Sequence, residues 1–199
     1  LLVVTNEAQG NQLARFTVDR RTETLTDYSD HTQLSSPRFS PDGRHLALSA
    51  WRAGQRDIWI ADANGALVRR VTQDQATDVD PWWSSDGDTL YFASDKTGIY
   101  NIYAVDLQTE HLWQVTNVLG GAFSPSVNAD ESAMVFESYS ANGMDIAKMA
   151  LDRSSWRDRG ALPTTLEAAL PLAEIAPPDA FVGVAPGVWE PLDTPERPA

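Results

Sequence analysis

Acidic side chains supply most of the chemistry this sequence could perform. Asp74, Asp78 and Asp80 fall in one short stretch, just ahead of a Pro-Trp-Trp run. Read functionally, they would form a negative funnel for a basic partner or a cation. The plainer reading, which we prefer, is a solvated loop in which Asp80 caps the turn before Pro81. Asp-x-Asp spacing alone is a weak calcium signal, because an EF-type loop needs more ligands and a closing bidentate glutamate. The histidines are His31, His45 and His111. His45 and His111 open apparent strands just after turns, where a solvated edge histidine is expected. His31 sits in a polar Asp-Tyr-Ser-Asp-His stretch, better read as a loop than as a metal ligand. There is no Gly-x-Ser-x-Gly elbow, no His-Glu-x-x-His and no Gly-rich phosphate loop. No catalytic residue, metal site or cofactor is therefore expected.

The elements that would position these residues follow from composition and then from a repeat. The chain has 199 residues, 28 acidic against 15 basic, for a net charge of −13. That balance gives no electrostatic footprint for phosphate backbones, so nucleic acid is excluded as a partner. With no cysteine, disulfides, thiolate chemistry and Cys-ligated zinc are excluded too. A 42% apolar share with seven tryptophans suffices for a packed core. No run reaches the ~18 apolar residues that a membrane-spanning helix needs. The first residue is Leu1, and Leu-Leu-Val-Val reads as the middle of a strand, so the expectation is a piece of something longer.

A period of 44 residues runs through the chain. Ser36-Pro37-Arg38-Phe39-Ser40-Pro41-Asp42-Gly43 is echoed by Asp80-Pro81-Trp82-Trp83-Ser84-Ser85-Asp86-Gly87 and by Ser124-Pro125-Ser126-Val127-Asn128-Ala129-Asp130-Glu131. Pro37, Pro81 and Pro125 stand 44 apart, and twenty residues after each comes Asp57-Ile58-Trp59, Asn101-Ile102-Tyr103 or Asp145-Ile146-Ala147. Val71-Thr72 and Val115-Thr116 keep the same spacing. Each unit reads as four short strands: one following the proline (36–40, 80–84, 124–128), one after the Asp-Gly turn, one at the Ile-aromatic pair, and one ending in Val-Thr. Residues 1–5, 13–18 and 24–26 look like strands two to four of an incomplete preceding unit. Four strands in every ~40–45 residues is the arithmetic of a β-propeller blade. The fold expected is all-β, about three and a half blades (1–34, 35–78, 79–122, 123–152) of an incomplete ring.

The Pro-x-x-Ser-Pro-Asp-Gly start followed by Asp-Ile-Trp or Asn-Ile-Tyr resembles the WD-like repeat of the TolB family, over about residues 1–152. Glu131 stands where the repeat has glycine, and Ala147 where it has an aromatic. The resemblance implies a propeller that binds partner proteins in a bacterial envelope, periplasmic or outer-membrane-associated. Similar blades gate a separate serine-hydrolase domain in the prolyl oligopeptidase family, which is the alternative reading. A lyase acting on acidic sugars is more remote, since no convergent basic and histidine cluster is present.

The partner expected is a protein or peptide, with any membrane contact made through a further domain. The candidate contact residues are Asp78, Asp80, Arg38, Trp51 and Trp113, the two tryptophans because they have no counterpart in the other repeats. Arg38, Ser40, Trp82, Ser84, Ser126 and Asn128 belong to innermost strands near the channel. The propeller is expected to end near Asp152, and residues 153–199, which hold eight of the twelve prolines, read as a linker.

Overall fold

The computed structural model describes residues 2–7, 10–16, 19, 21–26 and 31–162. The loop at Asp27–Asp30, most of the tail and the linker reading of 163–199 lie outside the described residues. Among the described residues, fifteen strands form four antiparallel sheets. The first holds β1 (Leu2–Glu7), β2 (Gly10–Phe16) and β3 (Thr22–Thr24). The second holds β4 (Gln33–Phe39), β5 (His45–Arg52), β6 (Gln55–Asp62) and β7 (Leu67–Arg70). The third is built on β8 (Asp78–Trp83), β9 (Thr89–Ser94), β10 (Asn101–Asp106) and β11 (His111–Gln114). The fourth holds β12 (Gly121–Val127), β13 (Ala133–Ser140) and β14 (Gly143–Ala150). This is the all-β, unclosed propeller that the repeat predicts.

Repeated residues make repeated structure. In the turn after each inner strand, Gly43 N–H donates to the Ser40 carbonyl at 2.9 Å and Gly87 N–H to the Ser84 carbonyl at 3.1 Å. Ser40 and Ser84 hydroxyls donate to Asp42 and Asp86 at 2.6 Å. Glu131 adopts the same left-handed backbone (φ +55) that Gly43 and Gly87 supply more readily. Its carboxylate accepts from Ser85 N–H across the sheet boundary at 2.8 Å, which accounts for the departure from glycine. The Val-Thr ending also has a mechanism. Thr26, Thr72 and Thr116 Oγ1 accept from the amides of Leu13, Ile58 and Ile102 at 2.8–2.9 Å, tying the fourth strand's end to the third.

Side-chain alternation gives the second and third sheets two buried apolar faces, so the described core is three inter-sheet seams. Leu46, Leu48, Trp59 and Ala61 face Leu13 of the first sheet. From the opposite face of the second sheet, Ala47, Ile58 and Ile60 meet Leu90, Phe92, Tyr103 and Val105. Tyr91, Ala93, Ile102 and Ala104 then meet Met134 and Phe136. Each large side chain so buried contributes about 1.5–3 kcal/mol. The positions that would continue the series, Val135, Tyr139, Met144 and Ile146, are 39–56% exposed.

Two expectations are corrected. First, the inner strands begin ahead of the prolines rather than after them. Each proline sits within its strand at a bulge, where Ser36-Pro37, Asp80-Pro81 and Ser124-Pro125 oppose a single partner residue. A proline cannot donate to the ladder, and a bulge on an edge strand removes that need. Second, the folded part does not end at Asp152. Asp152 caps a 3₁₀ turn (Arg153–Ser155), and β15 (Arg157–Ala161) pairs with β11 as a fifth strand of the third sheet. Trp156 is 9% exposed and packs edge-on against Tyr91 and Trp113, with ring centres 6.0 and 6.3 Å away. The fourth sheet has no fourth strand among the described residues. The segment that follows it completes the neighbouring sheet instead, because there it buries an indole.

Candidate functional site

The three bulges converge. At each, the residue before proline takes a left-handed backbone: φ +51 at Ser36, +54 at Asp80 and +49 at Ser124. Non-glycine residues pay of order 1–3 kcal/mol for such a conformation, and it persists only where surroundings impose it. Here the surroundings are one another. Ser36 Oγ donates to Asp80 Oδ1 at 2.7 Å, and Ser124 Oγ donates to Asp80 Oδ2 at 3.3 Å. The three positions are 44 residues apart in sequence and form one Ser–Asp–Ser bridge across three sheets. They line a recess of about 340 Å³ with Val4, Pro37, Arg38, Pro81 and Pro125. The Arg38 guanidinium lies 4.9 Å from the centre of the Trp82 ring, and the Arg38 carbonyl accepts from Trp83 Nε1 at 3.1 Å. Among the described residues, no cation comes within ion-pair distance of Asp80.

A second polar cluster lies buried at the seam between the second and third sheets. Lys96 Nζ is bonded to Asp74 and lies 3.3 and 3.4 Å from the two oxygens of Asp78, beneath the Phe92 ring. Burial raises Asp78 above the usual carboxylate range; Lys96 works against this and Asp74 with it. Burial alone would push Lys96 down, but Asp78 and Asp74 outweigh it and hold the ammonium above its ordinary value. Asp57, on the adjoining β6, is pushed up to about 7 by burial first and then by Asp78 and Asp74, with Lys96 and Arg70 opposing. Its Oδ1 is buried without a hydrogen-bond partner. The ammonium already fills this cluster, and no group of three or more metal-ligating side chains occurs among the described residues.

The sequence-derived candidates therefore separate. Asp80 and Arg38 share the recess. Asp78 does not reach it: it is fully buried and holds Lys96, because side-chain alternation is broken at the Asp80-Pro81 bulge, where the left-handed backbone of Asp80 turns its side chain to the recess. Trp113 is half-buried between His111, 4.4 Å away ring to ring, and Trp156, so it docks β15 rather than standing free. Trp51 is 36% exposed at the end of β5, paired with Arg56. His111 Nε2–H donates to the Asp158 carboxylate of β15 at 2.9 Å, so it has a partner on the neighbouring strand. Ser36 and Ser124 were not singled out from sequence, although both stand immediately before a repeat proline. Lys96 carried no signal, since Arg52 and Ser140 occupy its place in the other repeats.

Comparison with known proteins bears on the whole arrangement. The profile of the TolB beta propeller domain matches residues 7–166. Dipeptidyl aminopeptidase BIII of Pseudoxanthomonas mexicana is 41% identical over 81 residues, covering 39% of this chain and 12% of that protein. Dipeptidyl-peptidase 5 of Porphyromonas gingivalis is 31% identical over 80 residues, 40% of this chain and 11% of that protein. The crystal structure of TolB from Acinetobacter baumannii superposes with a TM-score of 0.65 at 19% identity, over 80% of this chain and 40% of its own. The chain thus spans a small part of the two peptidases and under half of that propeller. On the profile match across most of its length and the shared fold, the chain belongs to the TolB β-propeller domain family.

Proposed function

We propose that this propeller segment is a non-catalytic platform that presents its axial recess to a peptide or protein segment, in a bacterial cell envelope. The observation that supports it is the recess itself. Three strained bulges, each costly to the fold alone, bring Ser36, Asp80, Ser124 and Arg38 to one place beside three prolines. Strain of this kind concentrates at binding sites, where a rigid scaffold holds polar groups ready for a partner. The packed β-sheets supply that rigidity, and the envelope location is supported by the TolB likeness.

The test is selection of displayed peptides on the natural full-length protein, followed by chemical-shift mapping. The expected result is a perturbed set centred on Ser36, Arg38, Asp80 and Ser124. Peptides that map elsewhere, or no selected peptide, would overturn the reading. Fractionation of the producing bacterium checks the envelope assignment, with a cytosolic protein as the adverse result.

The identities to two dipeptidyl peptidases favour a second reading. There the same propeller gates a serine-hydrolase domain elsewhere in a longer protein, and the recess meets substrate peptides on their way to it. Labelling of the full-length protein by a fluorophosphonate, together with release of dipeptides from a peptide amide, would favour this reading over the platform.

A further inference from the structure

The recess has a chemical bias that goes further than its being a binding site. Asp80 is an acceptor-only group with room for about four hydrogen bonds, and two are supplied by Ser36 and Ser124. These hydroxyls fix the carboxylate from both sides and leave acceptor capacity on each oxygen. Positions 37, 81 and 125 are all proline, so three consecutive wall positions offer no backbone N–H. Around Asp80 the wall has pyrrolidine rings, hydroxyls already donated and the Arg38 side chain, whose guanidinium is stacked on Trp82. The apolar rings suit a methylene stem.

The charge at position 80 is also not something the fold requires. Ser36 and Ser124 occupy the same repeat position with the same bulge and nearly the same φ, so serine builds this backbone without a carboxylate. Arg38, the basic group of the recess, is stacked on Trp82 and makes no ion pair with Asp80 within 4 Å. Asp80 is thus a partly buried carboxylate fixed by two hydroxyls, with Arg38 stacked on Trp82 instead of paired to it, and it keeps acceptor capacity for a positive group. A volume near 340 Å³ is at the lower end for ligand sites, which fits one long side chain rather than a folded element. The chain's charge of −13 draws cations toward it.

We propose that the axial recess is a subsite for a single lysine or arginine side chain of a peptide segment, its cationic head held by Asp80, its stem against Pro37, Pro81 and Pro125, and its backbone carbonyl met by Arg38. This rests on the peptide-binding reading and names what that peptide must carry.

The experiment uses end-blocked pentapeptide mixtures with one fixed central residue: lysine, arginine, norleucine or glutamate. Each is titrated into the full-length protein while the amide signals of Ser36 and Ser124 are followed. The expected result is binding of the lysine and arginine mixtures roughly tenfold or more tighter than norleucine, weakened by added salt, with glutamate weakest. In the isosteric Asp80→Asn, which keeps an oxygen to accept from a serine hydroxyl, and in Asp80→Ser, which installs the residue of the other two repeats, the advantage over norleucine disappears while the overall spectrum still reports a folded protein. Equal binding of lysine and norleucine, or an advantage that survives both substitutions, overturns this inference and leaves the peptide-binding reading standing. No shift in the recess with any mixture overturns both.

Discussion

Ser36 and Asp80 hold the same place in consecutive repeats, 44 residues apart, and touch: the serine hydroxyl donates to the aspartate carboxylate at 2.7 Å. Ser124, one period further on, reaches the other oxygen at 3.3 Å. Equivalent positions of a linear repeat thus become neighbours around an axis, and one substitution in the series, aspartate for serine, puts a single negative charge at the centre of the arrangement.

Asp57 makes stability depend on pH. With its carboxyl raised to about 7 by burial and by Asp78 and Asp74, the folded state binds the proton more tightly than the unfolded chain. The contribution is complete below the unfolded value near 3.8 and is lost as pH rises toward 7. Asn101, at the same repeat position, shows what an amide does there: it donates to the Ile99 carbonyl and accepts from Thr116 and Val118 at 2.9–3.2 Å. Asp57→Asn should therefore be more stable than the parent at pH 8, by on the order of 2–4 kcal/mol, and nearly equal at pH 4. Urea denaturation at the two pH values checks this. A variant with an unchanged pH profile would contradict it.

Lys96→Met should cost roughly 3–5 kcal/mol, because Asp74 and Asp78 would be left buried without their cation. Part of the loss should return when Asp74→Asn and Asp78→Asn are added, since the buried charge is then gone. Thermal unfolding of the single and triple variants measures both effects, and a neutral single variant would show that water reaches the cluster freely.

Trp156→Ala should destabilise the protein by about 3–5 kcal/mol and release β15 from β11. Hydrogen exchange should then accelerate at Leu112 and Gln114, the β11 residues that face β15. Exchange unchanged there would mean that β15 is held by its backbone pairing alone.

Gly120→Ala tests the approach of the chain into β12. A methyl group there would lie 1.8 Å from the Tyr139 carbonyl oxygen, a backbone atom that cannot swing aside. The expected loss is roughly 3 kcal/mol, read by denaturant midpoint. Gly54→Ala provides the contrast: nothing stands within 4 Å, so only the strain of its φ of +89 remains.

Much of the fold was legible because each repeated residue has a local task. Pro41, Asp42 and Gly43 make a turn, Thr72 caps a strand, and Ile58 and Trp59 fill seams on opposite faces; these tasks recur every 44 residues and so can be read along the chain. The site was legible only in part. Asp80 and Arg38 stood out as charged inner-strand residues, but Asp78 looked equivalent to Asp80 and is not. The bulge at Asp80-Pro81 sends one to the axis and leaves the other in a buried ion cluster. Lys96 and Ser124 gained partners 18 and 44 residues away, contacts with no local signature.

By itself, the sequence determined the all-β repeat, its period and the turn chemistry, since these depend on spacing and backbone preference. The tertiary structure alone decided which carboxylates face the axis and which are buried, and that the segment after Asp152 adds to a neighbouring sheet. The physical reason is that burial and hydrogen bonding between repeats are set by how sheets pack around an axis: a bulge of one residue, or a tryptophan that finds a seam, redirects a side chain without changing the pattern along the chain.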